Sequence, residues 1–138
     1  MTASTVALAA SAAHLVSKPY ETGFFGTPMT ASIATTSLDD VADTVELGYV
    51  PGNCTVLGVL VQATSMAASA LVVKIQINGV DFVTGITTLV AGGGALFFPN
   101  APLAIAGGPA QKVAMLVTTV ATTPAAGTLT VTPILVNQ

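Results

Sequence analysis

Charge is what this sequence has least of. Its 138 residues hold three Lys, no Arg and six acidic groups, so 7% of the chain is charged, where ordinary soluble domains run near a quarter. Affinity for nucleic acid comes chiefly from neutralising phosphates with Lys and Arg. With Lys18, Lys74 and Lys112 as the whole basic complement and a net charge of −3, a nucleic-acid partner is excluded. Tryptophan is absent and tyrosine occurs twice, which leaves nothing to build the two aromatic girdles of a membrane barrel. Long apolar runs are missing as well. A membrane-spanning helix needs about 18 or more consecutive apolar residues, and the greasiest stretch, Leu89 to Ala110, is cut by Gly92, Gly93, Gly94, Pro99, Asn100, Pro102, Gly107 and Gly108. Cys54 is the single cysteine, so no disulfide framework within the chain is possible and nothing calls for an oxidising compartment.

What is present is apolar and small. Hydrophobic residues make up 52% of the chain, beside twenty Thr and thirteen Gly, and mean hydropathy is +0.82. A monomer of 13.6 kDa exposes about 6,600 Å² by the usual size scaling. Each of the nine charges would then serve about 700 Å², more than the largest apolar patch of a typical monomer. Threonine hydroxyls can wet part of that surface. The balance still favours a surface covered by neighbours, and hence a homo-oligomer, with a trimer as the expected order.

Apolar residues come in short bursts rich in Val, Ile and Thr, bounded by Gly, Pro, Asn or Asp, which is the pattern of strands and turns. The expected strands are Met29 to Leu38, Val41 to Leu47, Cys54 to Thr64, Ala70 to Asn78, Phe82 to Thr88, Ala95 to Phe98, Lys112 to Ala121 and Thr128 to Val136. About eight short strands predict an all-β domain over residues 29–138, a β-sandwich or jelly roll. Leu71, Val73, Ile75 and Ile77 alternate with Val72, Lys74, Gln76 and Asn78, so one face of that strand is apolar and the other wet. Val56, Leu57, Val59, Leu60 and Val61 run almost without a break, which predicts cover on both faces and a contact with a neighbour. Asn78-Gly79 and Pro51-Gly52-Asn53 mark tight turns. Pro133 cannot donate to a ladder, so the last strand is expected at a sheet edge or bulged there.

Residues 1–28 differ from the rest. An Ala/Ser tract with no basic residue before Lys18 does not read as a signal peptide, and Ser, Thr and His14 interrupt any helical stripe. An extended N-terminal arm is the expectation, ordered only when laid on something else. Tyr20, Phe24 and Phe25 are its candidate partner-binding anchors, the two rings flanked by Gly23 and Gly26.

Chemistry has little to work with. His14 lies in the arm, far in sequence from Cys54 in a core strand, so the pair is read as an interface imidazole and a buried thiol instead of a nucleophile and its base. Asp39, Asp40, Asp43 and Glu46 form the one acidic cluster. Such oxygens can bind Ca²⁺, but a turn at Asp39-Asp40 and opposite-facing Asp43 and Glu46 in a strand explain them without metal. Gly92-Gly93-Gly94 lacks the helix and nearby cation of a phosphate loop. Asn53-Cys54-Thr55 is a glycosylation pattern only in a secreted chain. The expectation is therefore no catalytic residue, no metal and no cofactor.

Glu46 to Thr64 reads ELGYVPGNCTVLGVLVQAT and is followed by ALVVKIQING. This resembles small tailed-phage virion proteins in which an "LG" strand and a Pro/Gly turn precede an apolar strand ending in "AT", over about residues 28–100. Those families are head decoration (cement) proteins and minor capsid proteins with sandwich or jelly-roll domains. The resemblance implies a non-enzymatic protein on the capsid surface of a virion, assembled in the host cytoplasm, partnered by the major capsid protein and tying capsomers together, often as a trimer. Here Ser65 to Ser69 replaces the acidic residues that often follow the "AT" strand, so no functional residue is carried over from that turn. The other reading is a trimeric receptor- or glycan-binding head of a phage fibre, which would present aromatic, carboxylate or amide groups on its loops. The loops here are mostly Gly, Ala, Pro and Thr.

Overall fold

The architecture follows from one long hairpin folded over on itself. The computed structural model describes residues 26–137, so most of the expected arm, with His14, Tyr20, Phe24 and Phe25, lies outside the described residues. Nine strands follow: β1 (Met29–Ile33), β2 (Thr44–Val50), β3 (Cys54–Ala63), β4 (Val72–Ile77), β5 (Val80–Ile86), β6 (Gly93–Phe97), β7 (Leu103–Ile105), β8 (Gln111–Thr119) and β9 (Gly127–Asn137). A 3-10 turn, Thr35–Ser37, and one short helix, α1 (Thr88–Ala91), complete the described elements.

The tip of the hairpin is Asn78-Gly79, both at positive φ (55° and 77°), with Ile77 paired to Val80 across them. Two residues of that handedness give the turn whose twist matches the strands, and only Asn, Asp or Gly adopt it readily. From this tip the antiparallel pairs nest outward: β4 with β5, β3 with β6 and β7, β2 with β8, and β1 with β9. Wrapping the hairpin into a roll then sets β9 beside β3 and β8 beside β4. Two sheets result, β1-β9-β3-β6 with β7 also on β3, and β2-β8-β4-β5. That is the strand order of a jelly roll.

The inner faces supply one core. Leu71, Val73, Ile75 and Ile77 are all at most 2% exposed, while Val72, Lys74 and Gln76 are half-buried, as the alternation predicts. Opposite them lie Val56, Val59 and Val61 of β3 and Leu129, Val131 and Leu135 of β9, also buried. Leu38, Met66 and Leu89, from connections that hydrogen-bond to one another, close one end of the roll.

Pro133, expected at an edge or a bulge, is not at an edge, and an irregularity of the β3 ladder lies one pair away. β9 is a central strand, between β1 and β3. Two local features make the proline tolerable there. The β1 ladder ends at Met29 opposite Val131, short of it, and the β3 ladder slips between Val56 and Gly58, next to the Val59–Pro133 pair. The proline thus sits past the end of one neighbour and beside a bulge in the other, where a missing donor costs least. β7 is the strand the sequence did not reveal, because three residues between Pro102 and Ala106 are too few to show a period.

Candidate assembly surfaces

Each sheet has an outward face, and the two differ in kind. In the second sheet, β2-β8-β4-β5, the outward residues carry all four charges found in strands: Glu46, Lys74, Asp81 and Lys112. They are matched in place. Lys112 Nζ lies 3.2 Å from Glu46 Oε2, because Tyr49 and not Glu46 is in register with Lys112 and the long side chain reaches along the strand. Lys74 Nζ lies 2.9 Å from Asp81 Oδ1, and Gln76 Nε2 donates to the same oxygen at 2.9 Å. The Gln76 and Lys74 hydrogen bonds to the ionised form hold the Asp81 carboxyl below its ordinary range.

The first sheet has no ionisable group in any of its strands except Cys54, whose side chain belongs to the core. Its outer face divides into two halves. Near the β1 end it is hydroxyl-rich, with Thr30 and Thr130 hydroxyls 3.0 Å apart and with Gln62 and Thr128 exposed. Toward the middle it is apolar. Leu60 of β3 pairs with Leu96 of β6 on one side and Thr132 of β9 on the other, and Ile134 and Val136 continue the apolar row along β9. Leu96 is 55% exposed and Phe98 is 63% exposed. Phe98 explains Gly58: a Cβ at that position would meet the Phe98 ring at 2.6 Å and the Phe97 carbonyl at 2.7 Å. The glycine lets the ring pack against the outside of β3.

The expectation of cover on both faces of β3 is met in part. Val56, Val59 and Val61 are buried inside, whereas Leu60 is only half-buried outside. The phenylalanines also separate: Phe82 is buried, Phe97 leans on the core from its rim, and Phe98 faces outward. Period two through Phe97-Phe98 carries that signal, one ring to each face.

Asp39, Asp40 and Asp43 do come together, with one carboxylate oxygen from each within 4.8 Å of the others; of the described residues these are the ones able to hold a cation. They form part of the β1–β2 turn, where Asp43 Oδ2 accepts the Asp40 N–H at 3.1 Å and Asp40 O accepts the Asp43 N–H at 3.2 Å. Glu46 stands apart, turned to Lys112. Cys54 Sγ donates to Pro51 O at 3.0 Å, and burial pushes the thiol pKa up, which lowers its thiolate fraction and so its reactivity. A groove of about 200 Å³ at the hairpin tip is lined by Ile77, Asn78, Val80, Leu103–Ala106 and Gln111, none of them an acid, base or nucleophile.

No family model matches the sequence, and no curated protein matches it. Solved structures match the fold. A chain of the cyanophage Pam1 capsid asymmetric unit aligns with a TM-score of 0.68 at 19% identity, covering 88% of this chain and 91% of that one. The jelly roll is shared with phage capsid chains. A second match, from the capsid of Ralstonia phage GP4, has a TM-score of 0.62 at 17% identity and covers 83% of this chain and 85% of that one. At such identities the likeness is one of fold, and function has to be argued from the surfaces.

Proposed function

We propose that this chain is a non-enzymatic structural component of a phage virion, and that it decorates the capsid and bridges capsomers as a homo-oligomer, in the order of a trimer, held on the major capsid protein. The observation that carries this reading is the outer face of the first sheet, a charge-free surface with an apolar row through Leu60, Leu96, Phe98, Ile134 and Val136. Burying such a face against a neighbour requires no ion to be desolvated and stabilises the contact by roughly 25 cal/mol per Å² of apolar area. The fold shared with capsid chains supports the setting, and so do the few charges of the whole sequence. Tyr20, Phe24 and Phe25 of the N-terminal segment are the proposed anchors of this assembly.

Two measurements test it. Light scattering of the purified chain is expected to give a multiple of 13.6 kDa; a soluble monomer at micromolar concentration would sink the oligomer. Cryo-electron microscopy of the source particle is expected to show the jelly roll on the shell, touching more than one capsomer. Density confined to a tail fibre would favour the receptor- or glycan-binding reading instead.

A further inference from the structure

We infer that the free edge of β6 is where a second copy of this chain adds its own β6, antiparallel, about a two-fold axis through Ala95, so that the first sheets of two copies run on as one. The state of the edge is the first ground. β6 ends its sheet, with β3 on one side and no strand on the other among the described residues. In an antiparallel ladder alternate residues turn both backbone groups away from the partner, so β6 offers unpaired N–H and C=O groups along its outer side. The nearest edge of the second sheet does not close on it. A groove of about 180 Å³ lies between Phe82, Val83 and Thr84 of β5 and Phe97 and Phe98 at the end of β6.

Contrast with the other edges is the second ground. Sheets blunt an exposed edge with charge, a bulge or cover. β2 carries Glu46 and a slip between Glu46 and Gly48. β5 carries Asp81 and slips twice against β4. β1 lies against β2, with the Met29 side chain filling the space over Gly48. β6 has none of these devices: its ladder to β3 runs without a slip from Gly93 to Phe97, and Gly93-Gly94-Ala95-Leu96-Phe97 holds no charge and no proline.

The order of sizes along the strand decides the occupant. Turned end for end about Ala95, the run Gly92 to Phe98 sets Ala95 against the second copy's Ala95, Gly94 against its Leu96, Gly93 against its Phe97 and Gly92 against its Phe98. Every large side chain then meets a glycine. Edge glycines are best tolerated where a large cross-strand neighbour covers them, and a two-fold contact supplies that match twice over. Gly92 and Gly93 also serve the chain's own turn, at φ of 82° and 102°. Gly94 does not: its φ is outside the left-handed region, and a Cβ there would meet nothing closer than the flexible Gln62 side chain at 3.3 Å. The second copy's Leu96 accounts for its smallness. On the outward face the two Leu96 side chains become diagonal neighbours, within reach of each other, which covers a residue that is 55% exposed on the single roll. Being two-fold, this is a contact additional to that of the trimer proposed above, and it rests on β6 and not on the virion reading.

The test is disulfide formation in the purified full-length chain, with Cys54→Val to remove the native thiol. Directly opposed residues have Cα atoms about 4.5–5.5 Å apart, inside the disulfide range of about 4.4–6.8 Å, so Ala95→Cys can bridge to its own copy across the axis. Two Leu96→Cys residues would be offset along the strands and about 8 Å apart, too far to bridge. Under mild oxidation, product at twice chain mass is expected at least about five-fold faster from Ala95→Cys than from Leu96→Cys, although Ala95 is half-buried and Leu96 is the more exposed position. Equal rates, or a faster reaction at Leu96→Cys, overturn the pairing. Independently, Gly94→Glu brings two carboxylates into the seam and should weaken the two-fold association at least about ten-fold in sedimentation, with the far-ultraviolet circular dichroism of the roll unchanged, whereas Val80→Glu on the other sheet should leave it as it was. Undiminished association of Gly94→Glu also overturns the proposal. Both readouts use the isolated chain, so their failure is distinct from failure of the virion reading.

Discussion

The two sheets of this roll share one core and present opposite outer faces. The β2-β8-β4-β5 face spends its four charges in two matched groups, Glu46 with Lys112 and Asp81 with Lys74 and Gln76. Such a face is content in water. The β1-β9-β3-β6 face has no charge, and it carries Leu60, Leu96 and Phe98 outward next to a field of threonines. Of so few charges in the chain, the four that stand in strands all lie on one sheet: scarcity alone suggested a covered surface, and this asymmetry supports the uncharged face of the other sheet as the one proposed to be covered.

The largest effect should come from the interior that both sheets share. Ile75→Ala removes a fully buried side chain and is expected to cost about 2–5 kcal/mol in urea unfolding; a loss near zero would mean that the sheets do not pack through one core. Next comes the outer side of β3. Gly58→Ala forces a methyl into the Phe98 ring and the Phe97 carbonyl, with an expected cost of about 1–3 kcal/mol. Phe98→Ala should recover part of that loss in the double variant, and no coupling between the two would remove Phe98 from its place over β3.

Charge placement sharpens the comparison directly. Leu96→Lys and Val80→Lys put the same cation on exposed positions of the two sheets, and each should leave unfolding stability within about 0.5 kcal/mol. Leu96→Lys is expected to weaken self-association at least about ten-fold, or about 1.4 kcal/mol, as read by sedimentation. Val80→Lys should leave it unchanged. Equal effects would erase the distinction between the faces.

The smallest effect concerns Asp81. Its carboxyl is held below the ordinary range by Gln76 and then Lys74, so the folded state favours the ionised form. That contribution is present above the ordinary carboxylate pKa and is lost as pH falls through the lowered folded value. Because the group is exposed, the change in stability should be slight, and the sensitive readout is the titration itself. Gln76→Leu should move the Asp81 midpoint upward in a carbon-detected NMR titration; an unmoved midpoint would mean that the Gln76 contact is not made in solution.

Much of the roll was legible because its signals are local. Alternation through Leu71 to Asn78 gave a strand with its buried face assigned, and Asn78-Gly79 gave the turn that proves to be the tip of the whole hairpin. The position of β9 was not legible, since insertion between β1 and β3 is decided by how the hairpin wraps, and Pro133 taken alone argued for an edge or a bulge. The surface row was hidden for a related reason. Leu60, Leu96 and Ile134 belong to three strands far apart in sequence, and no window of neighbouring residues contains them together. Period two alone separates Phe98 from Phe97, one to each face. Asp39-Asp40 was legible as a turn, whereas Asp43, expected in the strand that follows, belongs to the turn as well, and the three carboxylates meet because Asp43 Oδ2 accepts the Asp40 N–H.

Thiol labelling rates at single cysteines test the asymmetry most directly. In the full-length chain with Cys54→Val, Leu96→Cys and Val80→Cys replace residues that are 55% and 63% exposed on the described roll, so a bare roll would let maleimide react with both at similar rates. Protection of Leu96→Cys by about ten-fold or more relative to Val80→Cys is the predicted result, because the proposed assembly covers that face. Equal, fast labelling at both positions would show the first sheet to be as open to water as the second and would contradict the assignment of its outer face as the assembly surface.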